Sequence, residues 1–341
     1  MQVFIRFSLS RTLPGCQPCG WQKVRRSRIG VVRVNAVGYS GRYIAKRLLA
    51  AGHSVITLTN SFKRENPFNG KVRAFPFHFD QPARLRESLQ GVDVLINTYW
   101  VRFDHRQFTH GEAVTNTKIL FQAAKEASVR RIVHVSITNP DSDSDLPYFR
   151  GKAELELALQ QLGVSHCILR PTVLFGKEDV LINNIAWSLR HLPVFGVFGA
   201  GDYKLQPIHV EDLAVAALQQ AVSVGNDVVN AIGPETFTYL ELAKTIRRTL
   251  GLKRPIIHVH PELVYWSCRI IGLLMRDVVI TREEIRGLME GRLYVDAPPL
   301  GTTKSTKNAR KGTWERDGLH PPGGRARLPN PLVLFGFSEL Q

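Results

Sequence analysis

The stretch that decides the fold runs from residue 31 to residue 41 and reads Val-Val-Arg-Val-Asn-Ala-Val-Gly-Tyr-Ser-Gly. Its β-branched first part, residues 31–34, predicts a strand, and the helical spacing of residues 40–51 predicts a helix directly behind the glycines. Glycines in such a turn let the backbone approach a pyrophosphate, and the helix N-terminus adds free amides and ~half a positive charge. The stretch therefore predicts a phosphate-binding turn, with a plain strand-to-helix turn as the alternative.

The turn carries two of the three glycines expected of a dinucleotide site, and an asparagine stands at the first position. Asparagine tolerates positive φ better than most residues, so we expect the turn to form. The residues expected to contact the phosphates are Asn35, Gly38, Tyr39, Ser40 and Gly41.

Outward from this turn, short apolar strands alternate with helices as far as residue 170. The predicted strands cover residues 31–34, 55–59, 72–77, 92–97, 131–136 and 166–169, and the predicted helices cover 40–51, 84–89, 112–127 and 148–162. Nearly continuous apolar strands separated by helices indicate a parallel sheet covered on both faces. With right-handed crossovers, the fold class is α/β with a Rossmann-type doubly wound sheet.

Beyond residue 170 the pattern changes to that of a smaller C-terminal α/β cap. The Gly-rich stretch 195–201 is predicted as a loop, residues 211–221 and 238–250 as helices, and residues 228–231 as a strand. The expected organisation is a poorly ordered basic leader (1–28), an NAD(P)-binding Rossmann domain (29–175), a substrate cap interleaved with the sheet (176–303) and a disordered basic tail (304–341).

Most of the net charge of +16 lies at the two ends of the 341-residue chain. Residues 1–34 hold seven Lys or Arg and no acid, and residues 304–341 hold seven Lys or Arg against three acids. A nucleic-acid-binding protein more often carries its basic field on the folded body, so we expect no nucleic-acid partner. Four cysteines indicate a reducing compartment, which we take as the cytoplasm. The Arg-rich leader leaves a transit peptide, and with it the mitochondrial matrix, as the alternative.

The end of the second predicted strand bears on the choice of cofactor. It carries no acidic residue, where an Asp or Glu would bind the ribose hydroxyls of NAD. Beyond Asn60, the basic pair Lys63 and Arg64 suits a 2′-phosphate, which favours NADP, although NAD and a solvated basic loop stay open. The other polar residues expected at the cofactor are Asp80, for the adenine amino group, and Asn97, Thr98 and Tyr99, beside the crevice.

Tyr148 and Lys152 are spaced i, i+4 and share one face of a predicted helix. An ammonium near a phenol stabilises the phenolate and lowers the pKa of the tyrosine, which suits a general acid or base near neutral pH. Ser136 closes the fifth predicted strand and can donate to a substrate oxygen. The alternative is a surface Tyr and Lys at the start of an ordinary helix. The histidines show no His-x-x-x-His spacing, and we predict no metal site.

A set of motifs spread over residues 30–300 resembles the short-chain dehydrogenase/reductase superfamily, in its extended, epimerase-like and atypical branch. The motifs are the glycine turn, Asp80, the set Ser136, Tyr148 and Lys152, and the stretches 169–176, 207–213 and 229–233. Two further stretches, 175–179 and 281–285, look most like the nucleotide-binding accessory subunit of respiratory complex I and its bacterial relatives.

The resemblance implies an NAD(P)-binding Rossmann domain with a C-terminal substrate cap. It implies that Tyr148 is the acid/base, that Lys152 holds the nicotinamide ribose and tunes Tyr148, and that Ser136 orients the substrate. Pro171, inside one of the matching stretches, is expected to border the cofactor. For the complex I branch the resemblance implies a structural cofactor without established turnover.

Two functions are compatible with these residues. The leading one is an NAD(P)-dependent oxidoreductase or epimerase/dehydratase that acts on a small molecule of unidentified structure, and the alternative is a non-catalytic NAD(P)H-binding subunit or sensor. Cap residues that are candidates to touch the substrate are Asn183, Asn184, Trp187 and Tyr203. No apolar run reaches the ~20 residues that cross a bilayer. Peripheral contact of residues 264–275 with a membrane, contact with a respiratory complex, and the oligomeric state all stay open.

Overall fold

The computed structural model describes residues 31–300 except 35, 37, 61–66, 105–107, 264, 267–268 and 270–279. The predicted leader and tail lie outside the described residues, as do Asn35, Lys63 and Arg64. In the described part of the chain, no helix combines the length and the apolar character needed to cross a bilayer.

The described elements alternate between strands and helices along most of the chain. In chain order they are β1 (Val31–Val34), α1 (Tyr39–Ala50), β2 (Ser54–Leu58), β3 (Val72–Phe75), α2 (Pro82–Ser88), β4 (Val94–Asn97), α3 (His110–Glu126), β5 (Arg131–Val135), α4 (Pro147–Gln161), β6 (Ser165–Pro171), β7 (Leu174–Phe175), α5 (Leu181–His191), β8 (Phe195–Phe198), β9 (Lys204–Leu205), β10 (Ile208–His209), α6 (Val210–Val222), β11 (Asp227–Ala231), β12 (Phe237–Thr238), α7 (Tyr239–Thr249), β13 (Ile256–Val259) and α8 (Arg282–Met289).

Seven strands form one parallel sheet in the order β3-β2-β1-β4-β5-β6-β11. Helices α1 and α6 pack on one face of this sheet, and α2, α3 and α4 pack on the other. Every residue of β4 and β5 is buried, because both faces of the sheet are covered. The predicted Rossmann-type doubly wound α/β fold is confirmed.

Local sequence signals set the ends of several helices. Thr109 and Glu112 form a reciprocal capping box at the start of α3, and Thr281 and Glu284 form another at the start of α8. Gly163 lies just past α4 with a φ of 77°, a left-handed conformation that glycine adopts without strain. The predicted ends of α3 and α4 therefore fall within two residues of the observed ones.

The stretch 195–201 was predicted as a loop, and this prediction is wrong. It contains β8, which pairs in parallel with β13. Phe195, Val197 and Phe198 are buried in the core of the cap. The glycine content of this stretch is typical of a loop, but burial of the large apolar side chains between the glycines favours a strand.

The sheet is completed by a segment from beyond residue 175. β11 pairs with β6 from Asp227, opposite Cys167, to Ala231, opposite Pro171. α6, from the same part of the chain, packs against α1. The division into domains at residue 175 stays a prediction, and the seventh strand of the sheet comes from the predicted cap.

Arg131, the first residue of β5, is fully buried and joins three parts of the sheet edge. Its guanidinium donates to the carbonyl oxygens of Gln220 at 2.6 Å and Gly225 at 2.8 Å. It also donates to the Ser165 hydroxyl at 2.7 Å. One side chain therefore satisfies polar groups at the end of α6, before β11 and at the start of β6.

We expect Arg131→Met to lower the free energy of unfolding by about 2–4 kcal/mol, because buried acceptors lose their donor. Urea denaturation followed by circular dichroism measures the change. The matched control is Arg130→Met, at the exposed neighbouring position, with an expected change below about 0.5 kcal/mol. Equal losses for the two variants would contradict the role assigned to Arg131.

Candidate functional site

The N-terminus of α1 lies at the point where the strand order reverses. Gly38 is the N-cap residue, with φ −72° and ψ 165°, and no side-chain hydrogen bond caps the helix. The first turn contains no acidic residue, and Gly41 is buried. In a doubly wound sheet, ligands bind in the crevice at such a switch point, here between β1 and β4. Of the predicted phosphate-contacting residues, the structure brings residues 38–41 to this crevice.

The carboxyl end of β4 borders the same crevice. The Asn97 side chain donates from Nδ2 to His134 Nδ1 at 3.0 Å and accepts from the Tyr99 amide at 3.1 Å. Burial holds the pKa of His134 well below its ordinary value, so the ring is neutral and its Nδ1 is an acceptor. The Tyr99 hydroxyl accepts from Asn116 Nδ2 at 3.1 Å. These contacts orient the end of β4. Thr98, which lies between Asn97 and Tyr99 in the sequence, is half-buried.

Asn60 and Asp80 lie at the ends of β2 and β3. The Asn60 side chain accepts from the Phe77 amide at 3.0 Å and so joins the two strand ends. Asp80 is exposed and accepts from the Gln81 side chain at 3.1 Å. Neither contact tests the predicted role of these residues at the cofactor, which stays a prediction.

The predicted set of Ser136, Tyr148 and Lys152 gathers at the carboxyl end of β5. Ser136 follows β5 directly, is 3% exposed, and its hydroxyl has no hydrogen-bond partner among the described residues. Tyr148 is the second residue of α4. Lys152, one turn further, donates from Nζ to the carbonyl of Val135, the last residue of β5, at 2.9 Å.

Trp100 covers the Lys152 ammonium, whose Nζ lies 4.3 Å from the ring centroid. The ring can approach α4 because Gly151 has no side chain: a Cβ there would lie 3.0 Å from Trp100 and 2.9 Å from Val114. Trp100 was not among the predicted site residues, although this residue directly follows Tyr99 beyond the end of β4. The ammonium is therefore held by a carbonyl and an aromatic face, away from water.

The predicted lowering of the Tyr148 pKa is wrong. Burial raises the pKa of Tyr148 to about 12, the charge of Glu284 adds to the increase, and Arg102 opposes it. Burial also lowers the pKa of Lys152 to about 7, against the charge of Glu156. With a pKa of about 12, Tyr148 keeps its proton at neutral pH and can donate it, whereas Lys152, with a pKa of about 7, is only partly protonated there.

An ion pair between half-buried Arg170 and buried Glu156 supports α4 from the end of β6. Glu156 is 3% exposed, and Arg170 donates to both of its carboxylate oxygens, with the shortest distance 2.5 Å. Pro171, which ends β6, is buried and accepts from the Thr138 amide at 2.9 Å. These contacts fix the backbone beside the predicted catalytic set, and a contact of Pro171 with a cofactor stays a prediction.

A cavity of about 390 Å³ lies against Tyr148, where the cap covers the carboxyl ends of β5 and β6. It is lined by Ile137, Thr172 and Val173 beside the sheet, and by residues of α4, α5, β8, α7 and α8. Of the four cap residues predicted to touch a substrate, only Asn184 lines this cavity. Across the described residues, no group of three or more His, Cys, Asp or Glu side chains is arranged to hold a metal ion.

The comparisons with known proteins agree with this geometry. Residues 36–185 match the family model described as NAD(P)H-binding. They form an NAD(P)H-binding domain. The resemblance inferred from the sequence motifs is thereby confirmed, and so is the expectation of a nicotinamide cofactor, whereas the choice between NADP and NAD is untested.

Two curated relatives that this chain resembles are mitochondrial by name. The 40 kDa subunit of NADH-ubiquinone oxidoreductase from Neurospora crassa is 25% identical over 259 residues, 73% of this chain and 68% of its own length. The NADH dehydrogenase [ubiquinone] 1 alpha subcomplex subunit 9 from Rattus norvegicus is 27% identical over 297 residues, 81% of this chain and 76% of its own length.

Among solved structures, MoeE5 in complex with UDP-glucose and NAD has a similar fold, with a TM-score of 0.58. It is 20% identical in sequence, and the match covers 68% of this chain and 85% of that one. The similarity shows that the two proteins share a fold over more of the chain than residues 36–185.

We expect the pKa of Lys152 to make stability depend on pH. The pKa falls from 10.5 to about 7 on folding, so between these values the unfolded chain binds more protons and the free energy of unfolding rises with pH. Below about pH 7 the lysine is charged in both the folded and the unfolded chain, so the full cost of burying the ammonium lowers the free energy of unfolding. Lys152→Met removes this rise, which urea denaturation at about pH 7 and about pH 10 measures.

The control for this prediction is Lys46→Met, at an exposed position of α1, which is expected to keep the rise. If the stability of Lys152→Met changes with pH just as that of the unaltered protein does, Lys152 is not a buried ammonium that titrates on folding.

Proposed function

We propose that this protein is an NAD(P)-dependent oxidoreductase in which Tyr148 exchanges a proton with the substrate oxygen. The observation that carries the proposal is the position of Tyr148, which forms part of the wall of a cavity of about 390 Å³ beside the NAD(P)H-binding domain. A phenol with a pKa of about 12 keeps its proton at neutral pH and acts as a general acid.

The start of α1 fits the pyrophosphate of a dinucleotide. Gly38 and Gly41 leave the backbone open to approach, and an acid-free helix N-terminus without a side-chain cap attracts an anion. The bound cofactor would supply or accept a hydride at its nicotinamide ring. A preference for NADP over NAD rests on Lys63 and Arg64, outside the described residues, and stays part of the proposal.

The remaining members of the set have distinct proposed roles. Ser136 has a buried hydroxyl without a described partner, so it is suited to donate a hydrogen bond that orients the substrate oxygen. Lys152 has three ammonium donors, and the hydrogen bond to Val135 uses one of them, which leaves donors for the nicotinamide ribose.

A second candidate function is a non-catalytic NAD(P)H-binding subunit. One observation favours it: the relatives named above are, by name, subunits of mitochondrial NADH-ubiquinone oxidoreductases. In this case the protein would contact a respiratory complex and lie in the mitochondrial matrix. The names of the relatives favour the matrix over the cytoplasm that cysteine content suggested.

We expect Ser40→Asp to weaken NADPH binding by about tenfold or more. The added carboxylate stabilises the N-terminus of α1 but repels a pyrophosphate placed there. Calorimetric titration of the full chain with NADPH and with NADH measures the change and the cofactor preference together. Ala50→Asp, which adds the same carboxylate at the exposed C-terminal end of α1, is the matched control and should bind as the unaltered protein does. Equal affinities for all three proteins would contradict a phosphate site at the start of α1.

We expect Tyr148→Phe to separate the two candidate functions. If the protein is an enzyme, turnover falls by about 10²–10⁴-fold because the proton donor is lost, while NADPH affinity stays within about twofold. Oxidation of NADPH followed at 340 nm, together with calorimetry, gives both readouts. An unaltered protein that binds NADPH and oxidises none with any carbonyl compound would support the non-catalytic subunit.

A further inference from the structure

We propose that the cavity against Tyr148 binds a neutral, largely hydrocarbon molecule that carries one carbonyl or hydroxyl group, and that it excludes nucleotide sugars. This inference rests on the proposed function, because it names the substrate class of the same site. The proposed ligand differs from the nucleotide sugar UDP-glucose, with which the structurally similar MoeE5 is in complex.

The walls of the cavity are mostly aliphatic and aromatic. Ile137 and Val173 line it beside the sheet, Ile185 from α5, Phe198 from β8 and Leu288 from α8. All five side chains are less than a tenth exposed. An alkyl or prenyl chain gains from leaving water against such walls, whereas a sugar loses hydrogen bonds that these residues cannot replace.

The charges around the cavity do not suit a diphosphate. Arg102 is the one Lys or Arg among the lining residues, and it donates to Glu284 Oε1 at 2.6 Å. Glu283 adds a second carboxylate to the lining. A nucleotide diphosphate needs cationic donors, and here the single cation is paired with a carboxylate. The lining therefore carries one carboxylate in excess, which repels an anion such as a diphosphate.

Besides the hydroxyl-bearing residues Ser188, Tyr239 and Thr281, three uncharged polar side chains line the cavity: Tyr148, Thr172 and Asn184. The Asn184 Oδ1 atom is buried without a hydrogen-bond partner among the described residues, and the Tyr148 phenol offers a donor. The Thr172 hydroxyl, by contrast, donates to the Gln206 carbonyl. A ligand carbonyl could accept from the Tyr148 phenol, and a ligand hydroxyl could accept from Tyr148 or donate to Asn184 Oδ1. The rest of the ligand would contact hydrocarbon.

The volume of the cavity limits the size of the ligand. An apolar cavity of about 150 Å³ holds one benzene molecule, so a cavity of this size holds roughly 15 carbon atoms. The volume of about 390 Å³ therefore accommodates a medium-length chain such as that of decanol.

The reaction of such a ligand balances with the proposed cofactor. Reduction of an aldehyde or ketone moves a hydride from NAD(P)H to the carbonyl carbon while the C=O π bond opens. The proton of Tyr148 moves to the oxygen, the products are an alcohol and NAD(P)⁺, and the phenolate takes a proton from water. Oxidation of the alcohol is the reverse.

The test is calorimetric titration of the full chain with 1-decanol and, separately, with UDP-glucose. Decanol is expected to bind and UDP-glucose to give no binding heat. Val180→Phe, at a half-buried position of the cavity wall, is expected to weaken decanol binding by about tenfold or more, because the ring occupies part of the volume. Val224→Phe makes the same exchange at a position 86% exposed and is expected to leave the affinity within about twofold.

Binding of UDP-glucose without binding of decanol would overturn the proposal, as would equal decanol affinities for the two variants. If circular dichroism shows that Val180→Phe does not fold, Leu181→Trp, at the next lining position, replaces it under the same criteria. NADPH oxidation is measured separately with decanal. If decanol binds but NADPH is not oxidised with decanal, the proposed enzyme is rejected and the proposed ligand class is kept. If NADPH is oxidised with another carbonyl compound but decanol does not bind, the enzyme is kept and the ligand class is rejected.

Discussion

The hydrogen bond from Lys152 Nζ to the Val135 carbonyl holds the start of α4 over the last residue of β5. Trp100 covers the same ammonium, and Gly151 leaves the space that this ring needs. The helix is held further by the ion pair of Glu156 with Arg170, one turn beyond Lys152. Because α4 is fixed to the sheet in this way, Tyr148 stays at the cavity wall.

The same packing sets the chemical character of the site. Desolvation raises the pKa of Tyr148 and lowers that of Lys152, so the phenol keeps its proton at neutral pH while the lysine is only partly charged. At the cavity, Arg102 is paired with Glu284, and Glu283 leaves one carboxylate in excess. A proton donor in a mostly apolar cavity with this lining is suited to a carbonyl compound of low polarity, and it is poorly suited to a phosphorylated one.

Much of the fold was predictable from the sequence, because β-branched runs and helical spacing are local signals. The motif at Tyr148 and Lys152 was also found from its spacing, and both residues lie at the end of β5 with Ser136. The pKa of Tyr148 was not predictable, since it depends on packing and on Glu284, far away in the sequence. Arg131, at the start of a strand, gave no sign that its guanidinium would be buried.

The return of β11 to the sheet has a consequence for synthesis of the chain. Until residues 227–231 leave the ribosome, β6 has a neighbour on one side only, and its other edge exposes unpaired backbone groups. The nascent protein therefore carries an open, aggregation-prone edge while the segments that build the cavity are still being made. A chain released before residue 227 would lack the edge strand β11 and would expose the backbone of β6 in its place.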